Sequence, residues 1–409
     1  IAAEAFGCMA AFFMVGGTTS SVQTMILTAC KSGDKILLPR NVHKSVLTAL
    51  ILSGAVPCYI DPGTDKKLGI SLGMNFDDVA AAIAANPDAK AILLNNPTYY
   101  GVCSNLKDIV DLAHKYNMLM LVDEAHGTHF YFGKDLPISA MAAGADMAAV
   151  SMHKSGGSLT QSSILLLGGN RLDAAYVRQI INLTQTTSAS YLLLASLDIS
   201  RRNLALNGKN IFARVNDLTA YARDEINHVG GYYAFGKELL NGSSIFDFDT
   251  TKLSVNTSGM GLAGIEVYDI LRDEYDIQIE FGDIGNILAY VSLGDTKKEI
   301  ERLCSALSDV LRKYRKQPKD MLNAEYIHPK VVLTPQEAFY GKTELANLMS
   351  SQGRISAELV LCYPPGIPVL APGELITKDA LDYIAYAKEK GCSLSGTQDA
   401  DVENIFVIT

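Results

Sequence analysis

The sequence predicts an α/β fold with a mainly parallel central sheet in its first half, followed by a smaller α+β region. Between residues 12 and 168, short apolar runs alternate with stretches whose apolar residues recur at helical spacing. The apolar runs are uninterrupted, which is typical of parallel strands that are buried on both faces. Helices that connect such strands cover both faces of the sheet, and ligands bind beyond the carboxyl ends of the strands.

The predicted elements follow one another in a regular order. The apolar runs that predict strands of the sheet are Lys35–Leu38, Pro57–Ile60, Ala91–Leu94, Leu119–Val122 and Ile164–Leu167. Helical spacing predicts a helix after each of the first three, and a long polar helix over 199–228. Later segments predict strands at Lys252–Val255, Ile277–Glu280 and Ile287–Leu293, with helices over 263–275, 297–312 and 378–390. We expect three regions, over residues 1–210, 211–317 and 318–409.

The composition excludes several classes of protein. The chain has 409 residues, of which 48% are hydrophobic, and its net charge is −9 with the basic residues scattered. An acidic chain without a basic patch is not expected to bind nucleic acid. Its apolar stretches are too short and too interrupted to cross a bilayer, so no membrane partner is expected. Seven scattered cysteines without CxxC spacing predict reduced thiols in the cytoplasm, with no disulfide framework and no metal site.

The first residues predict a helix that is already under way. Apolar residues dominate Ile1 to Ala11, without a start methionine or a capping residue at the beginning. We therefore expect the natural chain to begin earlier, with a segment ahead of Ile1 that belongs to the first region.

Asp123 and Lys154 predict the chemistry. Asp123 ends the apolar run Leu119–Val122, and Lys154 directly follows His153 in a loop rich in Ser and Gly. A lysine amine can form a Schiff base with the aldehyde of pyridoxal phosphate (PLP), and a strand-end carboxylate can keep the cofactor's pyridine nitrogen protonated. For either residue alone, a buried strand end or a solvated loop lysine is the simpler interpretation. Together with a phosphate-binding loop, the two predict a PLP enzyme.

The residues Gly16 to Ser21 predict that phosphate-binding loop. Glycines are followed by the hydroxyl residues Thr18, Thr19 and Ser20, just before a helical pattern. Free backbone N–H groups, hydroxyl donors and the positive end of the helix dipole form an anion cradle. The alternative is an ordinary N-terminal cap.

Two further residues follow predicted strands and therefore belong at the same edge of the sheet. His43 could stack on the cofactor ring, and Thr98 could reach its phenolic oxygen. The alternatives are a structural histidine and a turn directed by Pro97.

These segments together resemble the bacterial Orn/Lys/Arg decarboxylase family, and most of all its shorter arginine or lysine decarboxylases from Gram-positive bacteria. The resemblance covers essentially the whole chain, whereas a general aminotransferase would share only the Asp and the Lys. The family's N-terminal segment with its HxPGHK motif has no counterpart here. The segments that carry the resemblance are Gly16–Ser21, Arg40–Ser45, Pro97–Gly101, Val122–Gly127, His153–Lys154, Thr160–Ser163, Ser188–Tyr191, Ala195–Asp198 and Tyr363–Pro368.

The resemblance implies PLP fold type I and a set of site residues. The catalytic residues it implies are Lys154 as the Schiff-base lysine, Asp123 as the pyridinium partner, His43 and His153. Ala125 would pack beneath the ring, and Ser188 would reach the phosphate of a neighbouring subunit. The remaining cofactor-binding residues would be Thr18, Thr19, Ser20, Thr98, His126 and Ser151, and the substrate residues Tyr99, Glu358 and Tyr363.

The resemblance also implies an activity, which is decarboxylation of a basic L-amino acid. The first choice is arginine to agmatine and CO2, in polyamine biosynthesis, by a cytoplasmic homodimer or larger oligomer with shared active sites. Lysine and ornithine are alternative substrates, and His153 or Lys154 would return a proton to Cα. Another PLP reaction, such as that of an aminotransferase or a lyase, is a second interpretation. A third is a non-catalytic regulatory relative or an inactive fragment.

Overall fold

The central sheet is mainly parallel, as the sequence predicts. The computed structural model describes residues 1–317, 330–363, 366–389 and 391–409. Six of the seven strands of the sheet run in one direction, and Ser163–Leu167 runs antiparallel to both of its neighbours. In spatial order the strands are Ala10–Met14, Ser163–Leu167, Met147–Val150, Leu119–Asp123, Ala91–Asn95, Lys35–Pro39 and Val56–Ile60.

Alternate residues of each strand face two different cores. In the strand Leu119–Asp123, Met120 and Val122 belong to one hydrophobic cluster, while Leu121 belongs to the cluster on the opposite face. Both faces of the sheet are therefore buried, which explains why its strands are uninterrupted apolar runs. The helices of this region are Gly17–Ala29, Lys44–Ser53, Phe76–Ala85, Leu106–Lys115, Ala140–Ala143, Ala174–Thr184 and Tyr191–Val229.

Two predicted elements were wrong, and two strands of the central sheet, Ala10–Met14 and Met147–Val150, were missed. The helix expected over Ile1 to Ala11 is the single turn Ala2–Ala5, because Gly7 with a φ of +61° ends it and the strand Ala10–Met14 follows. The strand Met147–Val150 was missed, since its residues include two alanines and give a weak apolar signal. Ile277–Glu280 is an extended loop, and the strand lies just beyond it at Phe281–Gly282.

A second, antiparallel sheet lies after the long helix. Its strands in spatial order are Tyr233–Phe235, Lys252–Asn256, Asn286–Tyr290 and Phe281–Gly282, with helices Gly264–Tyr275 and Lys297–Tyr314. Two strand pairs link outlying segments, namely Val102–Cys103 with Asp247–Phe248 and Thr64–Asp65 with Ile70–Ser71. Within the described ranges, the helices lack the combination of length and apolarity that a bilayer crossing requires.

The last part of the chain forms two small sheets around its own apolar cluster. The strands Ile367–Leu370, Val360–Tyr363 and Ser393–Ser395 form one sheet, and Thr343–Asn347 pairs with Asn404–Ile408. The helices here are Pro335–Tyr340 and Lys378–Glu389. Of the predicted features, Pro364, Pro365, Lys390 and the start of the third region at residue 318 lie outside the described residues.

A buried ion pair joins this last part to the central sheet. Arg40 Nε lies 3.0 Å from Glu374 Oε1, and Arg40 Nη2 lies 2.8 Å from Oε2. Arg40 also donates to the carbonyl of Pro368 at 3.0 Å, and the N–H of Ala371 donates to Glu374 at 2.8 Å. Because Arg40 follows the strand Lys35–Pro39 directly, the pair fixes the C-terminal part beside the site edge of the sheet.

Breaking this pair should destabilise the protein strongly. The two side chains are only 4% and 3% exposed, and removing one partner of such a buried pair costs about 3–5 kcal/mol. We expect that cost for Glu374→Leu in urea unfolding, and recovery of most of it in Arg40→Met/Glu374→Leu. The control is Lys35→Met, which breaks the exposed pair with Asp88 and should cost at most about 1 kcal/mol. Equal effects of the two single substitutions would contradict this account.

Candidate active site

The polar residues singled out in the sequence converge at one edge of the central sheet. Four parallel strands lie side by side, and one of these residues lies at or just beyond the end of each. Parallel strands bring their carboxyl ends to the same edge, which is where α/β proteins bind ligands. The residues at these four strand ends are His43, Thr98, Asp123 and Ser151.

Asp123 and Lys154 are opposite charges held in a buried environment. Asp123 is 5% exposed; burial raises the pKa of its carboxyl group, and the Lys154 ammonium lowers it. Burial lowers the pKa of Lys154, and the charges of Asp123 and Glu280 oppose that shift. The Ala125 N–H donates to Asp123 Oδ1 at 3.2 Å and orients the carboxylate. Such a carboxylate can protonate and hold a pyridine nitrogen, and a lysine shifted toward its neutral form can attack an aldehyde.

His126 is the direct neighbour of Lys154. The distance from Lys154 Nζ to His126 Nε2 is 2.8 Å. The ring of Tyr99 lies 4.4 Å from the His126 ring between centroids, and its centroid is 5.6 Å from Lys154 Nζ. Burial, followed by the positive charges of Lys154 and Lys252, lowers the pKa of His126 well below its ordinary value. Lys154 therefore projects against uncharged aromatic rings.

His43 caps the helix Lys44–Ser53. Its Nδ1 accepts a hydrogen bond from the Ser45 N–H at 3.2 Å, which fixes the ring at the helix N-terminus. Burial and then the charge of Lys154 lower the pKa of His43 to about 4. The imidazole is thus neutral at physiological pH, and its flat face suits stacking on an aromatic cofactor.

The first turn of the helix Gly17–Ala29 carries the predicted phosphate cradle. Thr18 Oγ1 is hydrogen-bonded to Ser151 Oγ and, at 3.1 Å, to Ser163 Oγ. Ser20 Oγ is buried and has no hydrogen-bond partner in the described part of the chain. A Cβ at Gly16 would lie 2.9 Å from Ser20 Oγ, so the approach needs glycine. A buried hydroxyl in need of a partner, at a helix N-terminus beside further hydroxyls, fits the phosphate group of PLP.

Other predicted cofactor residues lie around this edge with bonds of their own. Thr98 is buried, and its Oγ1 accepts from the Val102 N–H at 3.1 Å. His153 Nδ1 lies 2.9 Å from the carbonyl oxygen of Ser162. Thr19 is exposed at the mouth of the cradle. These contacts anchor the loops that surround Lys154.

The predicted substrate residues divide into two groups. Burial, and then Asp123 and Tyr363, raise the pKa of Tyr99, and Tyr363 lies near the site at the end of the strand Val360–Tyr363. Glu358 is engaged elsewhere, because its two carboxylate oxygens accept the N–H groups of Gln398 and Phe406, each at 2.8 Å. Ser188, predicted to serve a neighbouring subunit, is exposed on the surface of the single chain.

Sequence reasoning missed two charged residues of this site. Lys252 is fully buried, and its Nζ lies 3.4 Å from His126 Nδ1. Glu280 is exposed, and its charge raises the pKa of both Lys154 and Lys252. Neither residue belongs to a recognisable motif, and a lysine that begins an apolar strand gives no signal of burial. Only the folding of the second sheet against the first brings them here.

The fold and the site define a class of protein. Lys154 lies half-buried on the π-helical turn Met152–Gly156, where the sequence predicted a loop. A mostly parallel sheet that carries a buried strand-end aspartate, such a lysine and a helix N-terminal hydroxyl cradle is the arrangement of PLP enzymes of fold type I.

Both parts of the chain match described families. "Orn/Lys/Arg decarboxylase, major domain" matches residues 1–299, and "Orn/Lys/Arg decarboxylase, C-terminal domain" matches residues 316–400. The chain therefore belongs to the Orn/Lys/Arg decarboxylase family; it is a decarboxylase, and PLP is its cofactor. This confirms the family, the enzyme class and the cofactor predicted from the sequence.

Similar proteins extend over the whole chain. The arginine decarboxylase of Bacillus subtilis is 43% identical over 411 residues, which cover 100% of this chain and 84% of the relative. The arginine decarboxylase of Halalkalibacterium halodurans is 45% identical, with the same coverage. The constitutive lysine decarboxylase of Escherichia coli is 25% identical, and the match covers 93% of this chain and 66% of the relative.

Solved structures confirm the fold. The structure of the Escherichia coli constitutive lysine decarboxylase superposes with a TM-score of 0.82 at 22% identity, covering 100% of this chain and 71% of that one. An alanine–glyoxylate aminotransferase from Nostoc sp. superposes with a TM-score of 0.58 at 17% identity, covering 76% and 84%. The fold type I prediction is thereby confirmed.

Proposed function

We propose that this chain decarboxylates L-arginine to agmatine and CO2. The observation that carries the proposal is that one edge of the sheet holds both the buried strand-end carboxylate of Asp123 and the amine of Lys154, which lies 2.8 Å from His126 Nε2. The preference for arginine is supported by 43–45% identity over the full chain to proteins named arginine decarboxylase, whereas the named lysine decarboxylases are more distant.

The residues of the site have separate roles in this proposal. When bound, PLP supplies an electron sink for the pair of electrons that CO2 leaves at Cα. Lys154 would hold the cofactor through its amine. Burial raises the pKa of the Asp123 carboxyl group. Asp123 would hydrogen-bond to the pyridine nitrogen and keep that nitrogen protonated. His43 would stack on the ring, and Thr18, Ser20 and Ser151 would bind the phosphate.

The surroundings of Lys154 favour loss of the carboxylate. The neutral ring of His126 and the ring of Tyr99 exclude water without offering a positive charge. A desolvated carboxylate gains by departing as uncharged CO2. A proton must then replace it at Cα. Lys154 is favoured as its donor, because its amine lies beside the rings of His126 and Tyr99 at the centre of the site.

The distal end of the substrate requires an acidic partner. A guanidinium selects a carboxylate that can bind both of its nitrogens, while an ammonium takes a point contact. Glu280 is the exposed carboxylate whose charge acts on Lys154, Tyr99 and Lys252. In this proposal Glu280 attracts the cationic end of the substrate to the mouth of the site.

A product assay tests the substrate choice. The full-length protein is incubated separately with L-arginine, L-lysine and L-ornithine, and agmatine, cadaverine and putrescine are quantified by mass spectrometry. We expect kcat/KM for arginine to exceed the other two at least about tenfold, which corresponds to about 1.4 kcal/mol of discrimination. A preference for lysine or ornithine would overturn the arginine assignment. A keto acid without CO2 would instead indicate an aminotransferase.

We further propose a homodimer or larger oligomer with shared active sites, located in the cytoplasm and acting in polyamine biosynthesis. The support for the oligomer is an exposed apolar surface on the two helices that flank Ser188, Ala174–Thr184 and Tyr191–Val229. Contiguous exposed apolar residues mark interaction surfaces. The residues of this surface are Leu183, Tyr191, Leu192, Ile199 and Leu206, which are 68–86% exposed.

Mixing two inactive variants should restore activity if active sites are shared. Lys154→Ala lacks the cofactor lysine, and Ser188→Asp places a negative charge where the partner's phosphate would bind. In a mixed dimer one site carries both lesions and the other carries none, so about a quarter of wild-type activity should return by random pairing. Activity no higher than that of the two variants alone would contradict shared sites. Mixing Lys154→Ala with itself is the control.

A further inference from the structure

Lys252 is a buried lysine that the proposed reaction leaves without a role. It begins the strand Lys252–Asn256 of the second sheet and is 0% exposed. Its Nζ lies 3.4 Å from His126 Nδ1 and 3.3 Å from the centroid of the Tyr290 ring. A lysine is seldom buried without a specific partner, because desolvating an ammonium is costly. The partner here is the imidazole that touches Lys154.

His126 therefore bridges two lysines through its two ring nitrogens. Nδ1 faces Lys252, and Nε2 lies 2.8 Å from Lys154 Nζ. A neutral imidazole carries a proton on only one of these nitrogens. The protonation state of one lysine therefore restricts the protonation state of the other, through the tautomer of the imidazole between them.

The charged form of Lys252 dictates the arrangement. An ammonium only donates, so Nδ1 must accept from it and the imidazole proton must be on Nε2. Nε2–H then donates toward Lys154, and only an unprotonated Lys154 amine has the lone pair to accept. The Tyr290 ring favours this charged form through its negative face.

The groups around Lys252 place its protonation in the physiological range. Burial lowers its pKa to about 7, which is the largest effect. Asp249, Glu280 and Cys103 raise the pKa, and the charge of Lys154 lowers it. Below about pH 7 Lys252 is charged and constrains His126; above it, a neutral Lys252 can accept from Nδ1–H and the constraint is lost.

We propose that Lys252 is a positioning residue that fixes the Nε2–H tautomer of His126 and so holds Lys154 as the neutral amine that bonds the cofactor aldehyde. The inference rests on the proposed role of Lys154. It assigns Lys252 no contact with the substrate. Its effect is confined to the protonation of Lys154, and it acts through one imidazole.

The test measures the reactivity of Lys154 in the cofactor-free protein. Full-length apoprotein is treated with formaldehyde and cyanoborohydride from pH 5.5 to 9.5, and methylation of Lys154 is quantified by peptide mass spectrometry. Only the neutral amine reacts. We expect Lys252→Met to move the midpoint of Lys154 reactivity upward by about one pH unit, an approximately tenfold loss of rate on the acidic side. Lys252→Arg keeps the donor and the charge, so its Lys154 reactivity should match the wild type below about pH 7, where Lys252 is charged.

Two comparisons separate this role from packing or simple repulsion. The control Lys66→Met removes an exposed lysine and should leave the profile unchanged. In a His126→Phe background, Lys252→Met should shift the midpoint by less than half as much, because the bridge is gone. The difference in Lys154 methylation rate between wild type and Lys252→Met should also become smaller above pH 7, because Lys252 is then uncharged in the wild type.

Several outcomes would overturn the inference. An unchanged midpoint in Lys252→Met, or an equal shift in the His126→Phe background, would show that Lys252 does not act through His126. If Lys252→Met fails to fold, Lys252→Leu takes its place. The readout needs no turnover, so a shift in a protein that releases no CO2 would sustain this inference while the proposed function failed.

Discussion

Replacing Lys154 with alanine should abolish decarboxylation and the visible absorbance of bound PLP. The amine would be lost from the centre of the site, where it contacts His126 and lies near Asp123. Removing the residue that acts as covalent partner and proton donor should lower kcat by about four orders of magnitude or more, or about 5.5 kcal/mol of barrier. The measurement is CO2 release together with the absorbance spectrum.

The fold should survive this change, because a largely buried ammonium is replaced by an apolar group. Lys66→Ala, at an exposed position, is the matched control and should behave as the wild type. A Lys154→Ala protein that still forms a borohydride-reducible bond to PLP and releases CO2 would remove Lys154 from its role.

Asp123→Asn should bind PLP but lose most of the rate. The amide has the same shape but cannot keep the pyridine nitrogen protonated, so electrons from Cα are accepted less well. Losing such an electrostatic partner costs about 2.7–4 kcal/mol, or roughly 10²–10³ in kcat. Stopped-flow measurement of CO2 release checks the value, and Asp78→Asn, exposed in the first turn of Phe76–Ala85, is the control. Activity within a few-fold of wild type would rule out the pyridinium role.

The same substitution should stabilise the cofactor-free protein. Burial raises the pKa of Asp123 above its unfolded value. Its protonated form is therefore favoured by folding, and this contribution is lost as the pH rises through the folded pKa. At neutral pH the buried, ionised carboxylate therefore destabilises the folded protein, and the uncharged amide removes this effect. A higher midpoint of thermal unfolding in apo Asp123→Asn than in apo wild type would show that the aspartate is retained for function.

The sheet was predictable where its strands are buried on both faces. The strand Leu119–Asp123 alternates between two cores and consists of large apolar residues, so periodicity and composition agree. Met147–Val150 lies equally deep but contains alanines, which carry little signal. The direction of Ser163–Leu167 was not predictable, because the apolar run is the same whichever way a strand runs.

The site was predictable where residues follow strands. Asp123 and Thr98 follow neighbouring parallel strands, so topology alone brings them together. Lys252 joins them from a second sheet, 126 positions from the histidine that it contacts, and no local pattern encodes such a contact. Glu358 was expected near the substrate, but it binds the N–H groups of Gln398 and Phe406 instead. These contacts also depend on the fold of the C-terminal part and are not encoded in a local pattern.

The most direct test of the central claim is the carbon balance of one reaction. The full-length protein with PLP is given L-arginine labelled with ¹³C at the carboxyl carbon, and both products are measured by mass spectrometry. The account predicts ¹³CO2 and agmatine in equal amounts, and neither from Lys154→Ala. Label retained in a keto acid, or equal product formation by Lys154→Ala, would contradict it.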